Sequence, residues 1–180
     1  MASLYLTGQW ITDYVSRVPV PRRSAPLAHR GVVSLLRTVD VVRRFLAQVV
    51  EAQGITLQQF NVLRILRGAE RAGATDGLPT LDLAERMVER APGITRLLDR
   101  LEAKALVVRR RCPHDRRQVL CRIAPGGLRL LDRLEGPMKQ ADADCLGMLT
   151  PAQLRALTAL LETIQAGHAA FEESGSHQEP

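Results

Sequence analysis

Aromatic residues are scarce in this chain: one Trp, two Tyr and three Phe among 180 residues, 3% of the total. A core built almost without rings must be filled by Leu, Val, Ile and Ala, a composition that favours packed helices. Lysine is rarer still, at Lys104 and Lys139 only, so nearly all the positive charge is arginine. Cysteine is limited to Cys112, Cys121 and Cys145, an odd number with no C-x-x-C pair. That argues against a disulfide framework and a zinc ribbon, and makes a reducing compartment the simpler expectation. No apolar run approaches the ~18 residues of a membrane span, and the N-terminus lacks the pattern of a secretory signal. A cytoplasmic protein with no membrane partner is therefore expected. Also missing are G-x-S-x-G, H-E-x-x-H and any phosphate-cradling glycine loop. His29, His114, His168 and His177 sit in no recognisable pairing, so neither an enzyme nor a cofactor is expected.

What is present is an ordinary hydrophobic fraction of 46% and a net charge of +6. The charge is concentrated: residues 86–117 hold ten basic and four acidic side chains, an excess equal to that of the whole chain. Such a local field speaks to a polyanionic partner rather than to a fold.

Along the chain, Trp10, Ile11, Tyr14, Val15 and Val18 recur at helical spacing over residues 4–18. Pro19, Pro21 and Pro26 then interrupt regular structure through a basic linker. A long helix is predicted from about His29 to Gln53, closed by Gly54. Its apolar residues lie on two faces, so it must be sandwiched within its own domain or between two chains. Thr56 and Gln59 have the spacing of a capping box that opens the next helix, with Phe60, Leu63 and Leu66 inward. Residues 68–79 are predicted as a loop, and Thr80 as the cap of a short helix. Pro92 is placed in the first turn of another helix reaching about Ala105. Val107–Arg111 and Val119–Ile123 read as strands flanking a polar tip, which makes a hairpin. Pro125 opens a helix to about Met148, and Thr150, Pro151 and Gln153 start a last one. The tail after Phe171 is acidic, polar and expected to be disordered.

The short helix and its successor have the spacing of a helix-turn-helix. Leu83, Ala84, Met87, Ile94 and Leu97 fall where the two helices must pack, with Ala84 small enough for closest approach. In such a unit the second helix enters the major groove of double-stranded DNA and its N-terminal residues meet base edges. Those residues are Arg90, Gly93, Thr95 and Arg96, with Arg100 one turn further on towards phosphate. Asp99 and Glu102 are expected to face away or to pair with nearby arginines. At the hairpin tip, Asp115 is read as orienting Arg117, and Arg117 or Arg116 as a minor-groove probe. Isolated, the tip would be a solvated turn with surface ion pairs of little value. Behind a helix-turn-helix, and next to Arg109, Arg110 and Arg111, it is read as a DNA contact.

These residues resemble the MarR (multiple antibiotic resistance regulator) family. The resemblance is carried by TLQQFNVLRIL (56–66), LDLAERM (81–87), ITRLLDRLEAKALVVRRRCPHDRRQVLCRIAPGGLRLL (94–131) and LTPAQLRALTALLETI (149–164). It implies a mainly α fold with a small β-hairpin wing, a winged helix-turn-helix whose N- and C-terminal helices form a dimerisation region. It also implies a homodimer on a pseudo-palindromic operator, usually a repressor, released by a phenolic or carboxylate effector or by cysteine oxidation. The domains expected are an extension over 1–28, dimerisation helices at 29–55 and 125–171, a DNA-binding domain at 56–124 and a tail at 172–180. The chain departs from the family pattern at Pro92-Gly93-Ile94, where a hydroxyl-rich helix start is usual, and in having Val88 and Ala105 at two customary glycine positions.

Other candidates carry less. Cys112, His114, Asp115 and Cys121 cluster in sequence, but strand geometry pairs Cys112 near Val119, not Cys121, so no metal site is expected. Cys112 as a thiol switch is the rival regulatory reading, and a non-sequence-specific architectural protein of the same fold is the rival function. Cys145 is expected to be a small core residue. Arg43 and Arg37, on different faces of the long helix, are candidates for an anionic effector. Arg43 is alternatively satisfied by Asp40 or by snorkelling.

Overall fold

A computed structural model of the chain describes residues 26–87, 93–113, 115 and 117–175, the last seven by backbone alone. The predicted N-terminal helix with Trp10 and Tyr14, together with Val88, Arg90, Pro92, His114 and Arg116, lies outside the described residues. The chain divides into two units, Met1–Ala141 and Asp142–Pro180.

In the first unit, α1 spans Leu27–Glu51. It ends before Gly54, whose φ of 73° is a left-handed conformation suited to glycine. Only Val33 and Val50 on this helix are buried, while Leu27, Val32, Val39, Val41 and Phe45 stay exposed. Helix α2, Leu57–Arg71, opens with the predicted capping box: the Gln59 N–H donates to Thr56 Oγ1 at 3.2 Å and the Thr56 N–H to Gln59 Oε1 at 3.0 Å. It buries Phe60, Val62, Leu63, Leu66 and Ala69. The helix runs four residues into the segment expected to be loop, because Gly68 has no special backbone requirement and the helix continues through it.

The sequence reading also missed β1, Leu78–Pro79, a two-residue edge strand too short for any periodicity to show. Proline is tolerated there because an edge strand need not donate on both sides. The short helix α3, Thr80–Glu85, follows. Thr80 is its first residue and not its cap: the Thr80 hydroxyl donates instead to the Val119 carbonyl at 3.1 Å, tying the helix to the hairpin. Helix α4, Ile94–Ala103, starts after Gly93, whose φ is 100°, so the described helix begins two residues later than the Pro92 start expected. Strands β2, Val107–Arg111, and β3, Val119–Ile123, pair antiparallel, and β1 adds to the far side of β3 in the order β1-β3-β2.

The core gathers Leu63, Leu66, Leu83, Met87, Leu98, Leu101, Val107, Ile123 and Leu131 into one cluster. Of the helix-turn-helix packing positions, Leu83 and Met87 are buried while Ala84, Ile94 and Leu97 are half-buried. The deepest residues of α4 are Leu98 and Leu101, since this helix lies on α2 and β2 as well as on α3. Helix α5, Pro125–Leu146, can begin this close to the sheet because Gly127 has no side chain. A Cβ there would meet the Leu106 carbonyl oxygen and stand 2.8 Å from Ile123 Cγ1.

In the second unit, α6 spans Pro151–Gly175 and is opened by a second capping box between Thr150 and Gln153. It extends four residues beyond the predicted end at Phe171. Leu154, Leu160 and Ile164 are exposed on it. Cys145, expected in a core, is half-buried.

Candidate nucleic-acid interface

The polar face of α4 is set by where its apolar residues go. With Leu98 and Leu101 fully inside and Ile94 and Leu97 half-buried, the residues left outside are Thr95, Arg96, Asp99 and Arg100, preceded by exposed Gly93. No described residue forms an ion pair with Arg96 or Arg100.

The arginines of the hairpin divide between ones held within the chain and ones left exposed. Arg109 turns back onto α4. Its Nε donates to Glu102 Oε2 at 2.9 Å, its backbone N–H to Glu102 Oε1 at 3.3 Å, and its Nη2 lies 2.6 Å from Asp99 Oδ1. The guanidinium hydrogen bond holds the Glu102 carboxyl below the usual glutamate range, and the same contact raises the Arg109 pKa. Asp99 and Glu102 thus pair locally, as the sequence suggested. Arg110 is engaged by Asp76, through both its carboxylate and its carbonyl. Arg122 lies 3.5 Å from Glu70. On the hairpin, Arg111 and Arg117 remain exposed, with no ion pair among the described residues.

At the tip, Asp115 Oδ1 accepts from the backbone N–H of Arg117 at 2.9 Å, and the Asp115 carbonyl accepts from the Gln118 N–H at 3.0 Å. The described contact is an Asx turn that fixes the backbone, not a clamp on the guanidinium. The Gln118 carbonyl accepts from the Cys112 N–H at 3.0 Å. Cys121 is opposite Arg109 in the register, on a different rung from Cys112. Among the described residues no group of His, Cys, Asp and Glu is arranged for a metal ion. Burial pushes the Cys121 thiol up, against a weaker opposing effect of the Thr80 hydroxyl.

On α1, Arg37 and Arg43 are half-buried, and both have interactions within the chain. Asp40, a candidate partner for Arg43, lies 2.7 Å from Arg44. No described helix is long and apolar enough to cross a membrane.

The Arg109 cluster was legible as a local pairing of Asp99 and Glu102 with a nearby arginine, while the Thr80–Val119 tie and the donation from Lys104 Nζ to the Gly54 carbonyl escaped sequence reasoning. The first had a signal, since Asp99 and Glu102 are three apart on one helix face beside an arginine-rich strand. The other two join residues far apart in sequence and had none.

Comparison with solved structures decides the family. A MarR transcription factor from Planctomyces limnophilus shares 35% identity over 78% of this chain and 99% of its own, with a TM-score of 0.59. The chain belongs to the MarR family. The model of the MarR family matches residues 55–119, from the start of α2 into the wing. A mutant MarR from E. coli, in complex with operator DNA, is 25% identical over 78% of this chain and 99% of its own, with a TM-score of 0.65. Bordetella bronchiseptica BpsR, whose DNA binding is regulated by 6-hydroxynicotinic acid, gives a TM-score of 0.64 at 24% identity over 73% of this chain and 95% of its own. No curated protein sequence matches. The fold is that of MarR regulators: mainly helical, with a three-stranded antiparallel sheet carrying the wing.

Proposed function

We propose that this transcription regulator of the MarR family binds double-stranded DNA sequence-specifically, as a homodimer on a pseudo-palindromic operator, and acts as an effector-responsive repressor. The observation that carries the reading is the exposed face of α4, where Arg96 and Arg100 stand without a described ion-pair partner beside Thr95. A helix of this kind in the major groove reads bases through Arg96, whose fork fits guanine, while Arg100 holds phosphate. Arg111 and Arg117 on the hairpin extend the basic surface to the adjoining backbone and minor groove, where arginine is favoured by the deeper negative potential. Gly93, Asp115 and the undescribed Arg90 and Arg116 complete the proposed contact set. An E. coli MarR solved with operator DNA supports double-stranded DNA as the partner.

A second copy of the chain is proposed to cover the apolar faces of α1 and α6, which are exposed in the single chain. For the effector, a small phenolic or carboxylate compound is proposed, with Arg37 and Arg43 as its anion contacts. The hydroxyl and carboxylate chemistry that regulates the Bordetella protein supports that class. If so, Arg37→Gln or Arg43→Gln should blunt release by such a compound without altering operator affinity in its absence.

The test of the main reading is selection of bound fragments from the host's own genome, followed by salt titration. The selected duplex should be preferred over bulk DNA by ~10³-fold or more. Arg96→Ala should weaken specific binding more than bulk binding. Arg117→Ala should lower both, flattening the salt dependence by about one unit of slope per subunit. Variants that bind and discriminate like the parent would remove these residues from the interface.

A further inference from the structure

We infer that Arg109 is a positioning residue that braces the DNA-reading helix against the wing and holds the Asp99 carboxylate away from phosphate. The inference rests on the DNA-binding reading above and deepens it, because it separates the arginines that touch DNA from one that arranges them.

The geometry is specific. Arg109 sits at the centre of β2, opposite Cys121 in β3. Its guanidinium reaches two carboxylates of α4 together, Glu102 through Nε at 2.9 Å and Asp99 through Nη2 at 2.6 Å. Asp99 and Glu102 are three residues apart on one helix, where two like charges repel unless a cation lies between them. The Arg109 side chain is only 23% exposed, whereas Asp99 is 53% exposed, so the arginine is the inner member. The covalent link from α4 to β2 is only Lys104, Ala105 and Leu106, turning through a left-handed Ala105. Across that link the backbone adds two ties, Ala105 N–H to the Glu102 carbonyl at 2.8 Å and Leu106 N–H to the Leu101 carbonyl at 3.0 Å. The Arg109 cluster spans the same corner through side chains and reaches one turn further up the helix.

Two consequences bear on DNA. Asp99 lies between Arg96 and Arg100 on the exposed face of α4, so a released carboxylate would repel an approaching phosphate. Arg111 and Arg117 ride on the hairpin that Arg109 anchors, so their distance from α4 depends on the same contacts. Charge on Arg109 therefore acts inside the protein, and its removal should not release a counterion from DNA.

The experiment compares full-length parent, Arg109→Met, Arg109→Lys and the charge-neutral Asp99→Asn/Glu102→Gln/Arg109→Met. In DNA-free protein, Arg109→Met should speed hydrogen exchange of amides in 99–111 by roughly tenfold, and Arg109→Lys by less. On the selected duplex, Arg109→Met should lose affinity by roughly tenfold. Its salt slope should stay that of the parent, and the charge-neutral variant should regain most of the loss because no unpaired carboxylate remains. A slope flattened by about one unit per subunit, with no recovery in the charge-neutral variant, would make Arg109 a phosphate contact and overturn the inference. Unchanged exchange in Arg109→Met would also overturn it. Should the parent select no duplex, the DNA-binding reading fails while the exchange measurement still decides whether Arg109 braces the corner.

Discussion

Ala105 carries the most conspicuous backbone cost in the described chain, a φ of 53° at a residue with a Cβ. It lies just past the end of α4, and its left-handed conformation is one that suits glycine. The left-handed conformation costs an alanine roughly 1–2 kcal/mol, against which glycine's larger unfolded-state entropy counts for less. Ala105→Gly should therefore stabilise the protein by about 0.5–1 kcal/mol, read as a higher urea midpoint at unchanged slope. A midpoint equal to or below the parent's would contradict the strain argument. At this scale the sequence was legible where a residue's role is local. Exposure of Thr95, Arg96 and Arg100 follows from helical spacing alone. The role of Arg110 was not legible, because Asp76 is 34 residues away and only the fold brings them together.

At the scale of elements, the segments read best were those whose starts are written in side chains. The capping boxes at Thr56 and Thr150 both formed with the predicted partners, each satisfying two N–H groups that a helix start leaves unpaired. Thr56→Ala should cost about 1 kcal/mol of stability. The loss should register in thermal unfolding without altering discrimination between duplexes, and a change in DNA preference would mean that α2 also touches DNA. The elements read worst were set by tertiary contact. Strand β1 exists only because β3 offers an edge, and Thr80 serves the hairpin carbonyl of Val119 instead of its own helix. Residues 68–71 are helical because Ala69 packs into the core, which outweighs the modest cost of Gly68.

For the whole molecule, the two-faced apolar character of α1 was plain in sequence, and the single chain leaves that character unresolved. Val32, Val41 and Phe45 remain exposed on a helix that also contributes Val33 and Val50 to the interior. The proposed second copy would cover that surface. Placing a charge in it with Phe45→Glu should weaken self-association by about 100-fold, seen as monomer by sedimentation at concentrations where the parent is dimeric. Operator affinity should fall with it, since each half-site is then bound alone. A variant that sediments like the parent would move the interface elsewhere. On the proposed function, two identical arginine-faced helices read one symmetric site. Hydroxyl-radical footprinting of the parent on a genome-selected duplex tests it most directly. Two protected half-sites related by a dyad are expected, their centres one helical turn or ~34 Å apart, flanked by minor-groove protection from the wings. A single unsymmetrical patch, or uniform protection without preferred positions, would contradict it.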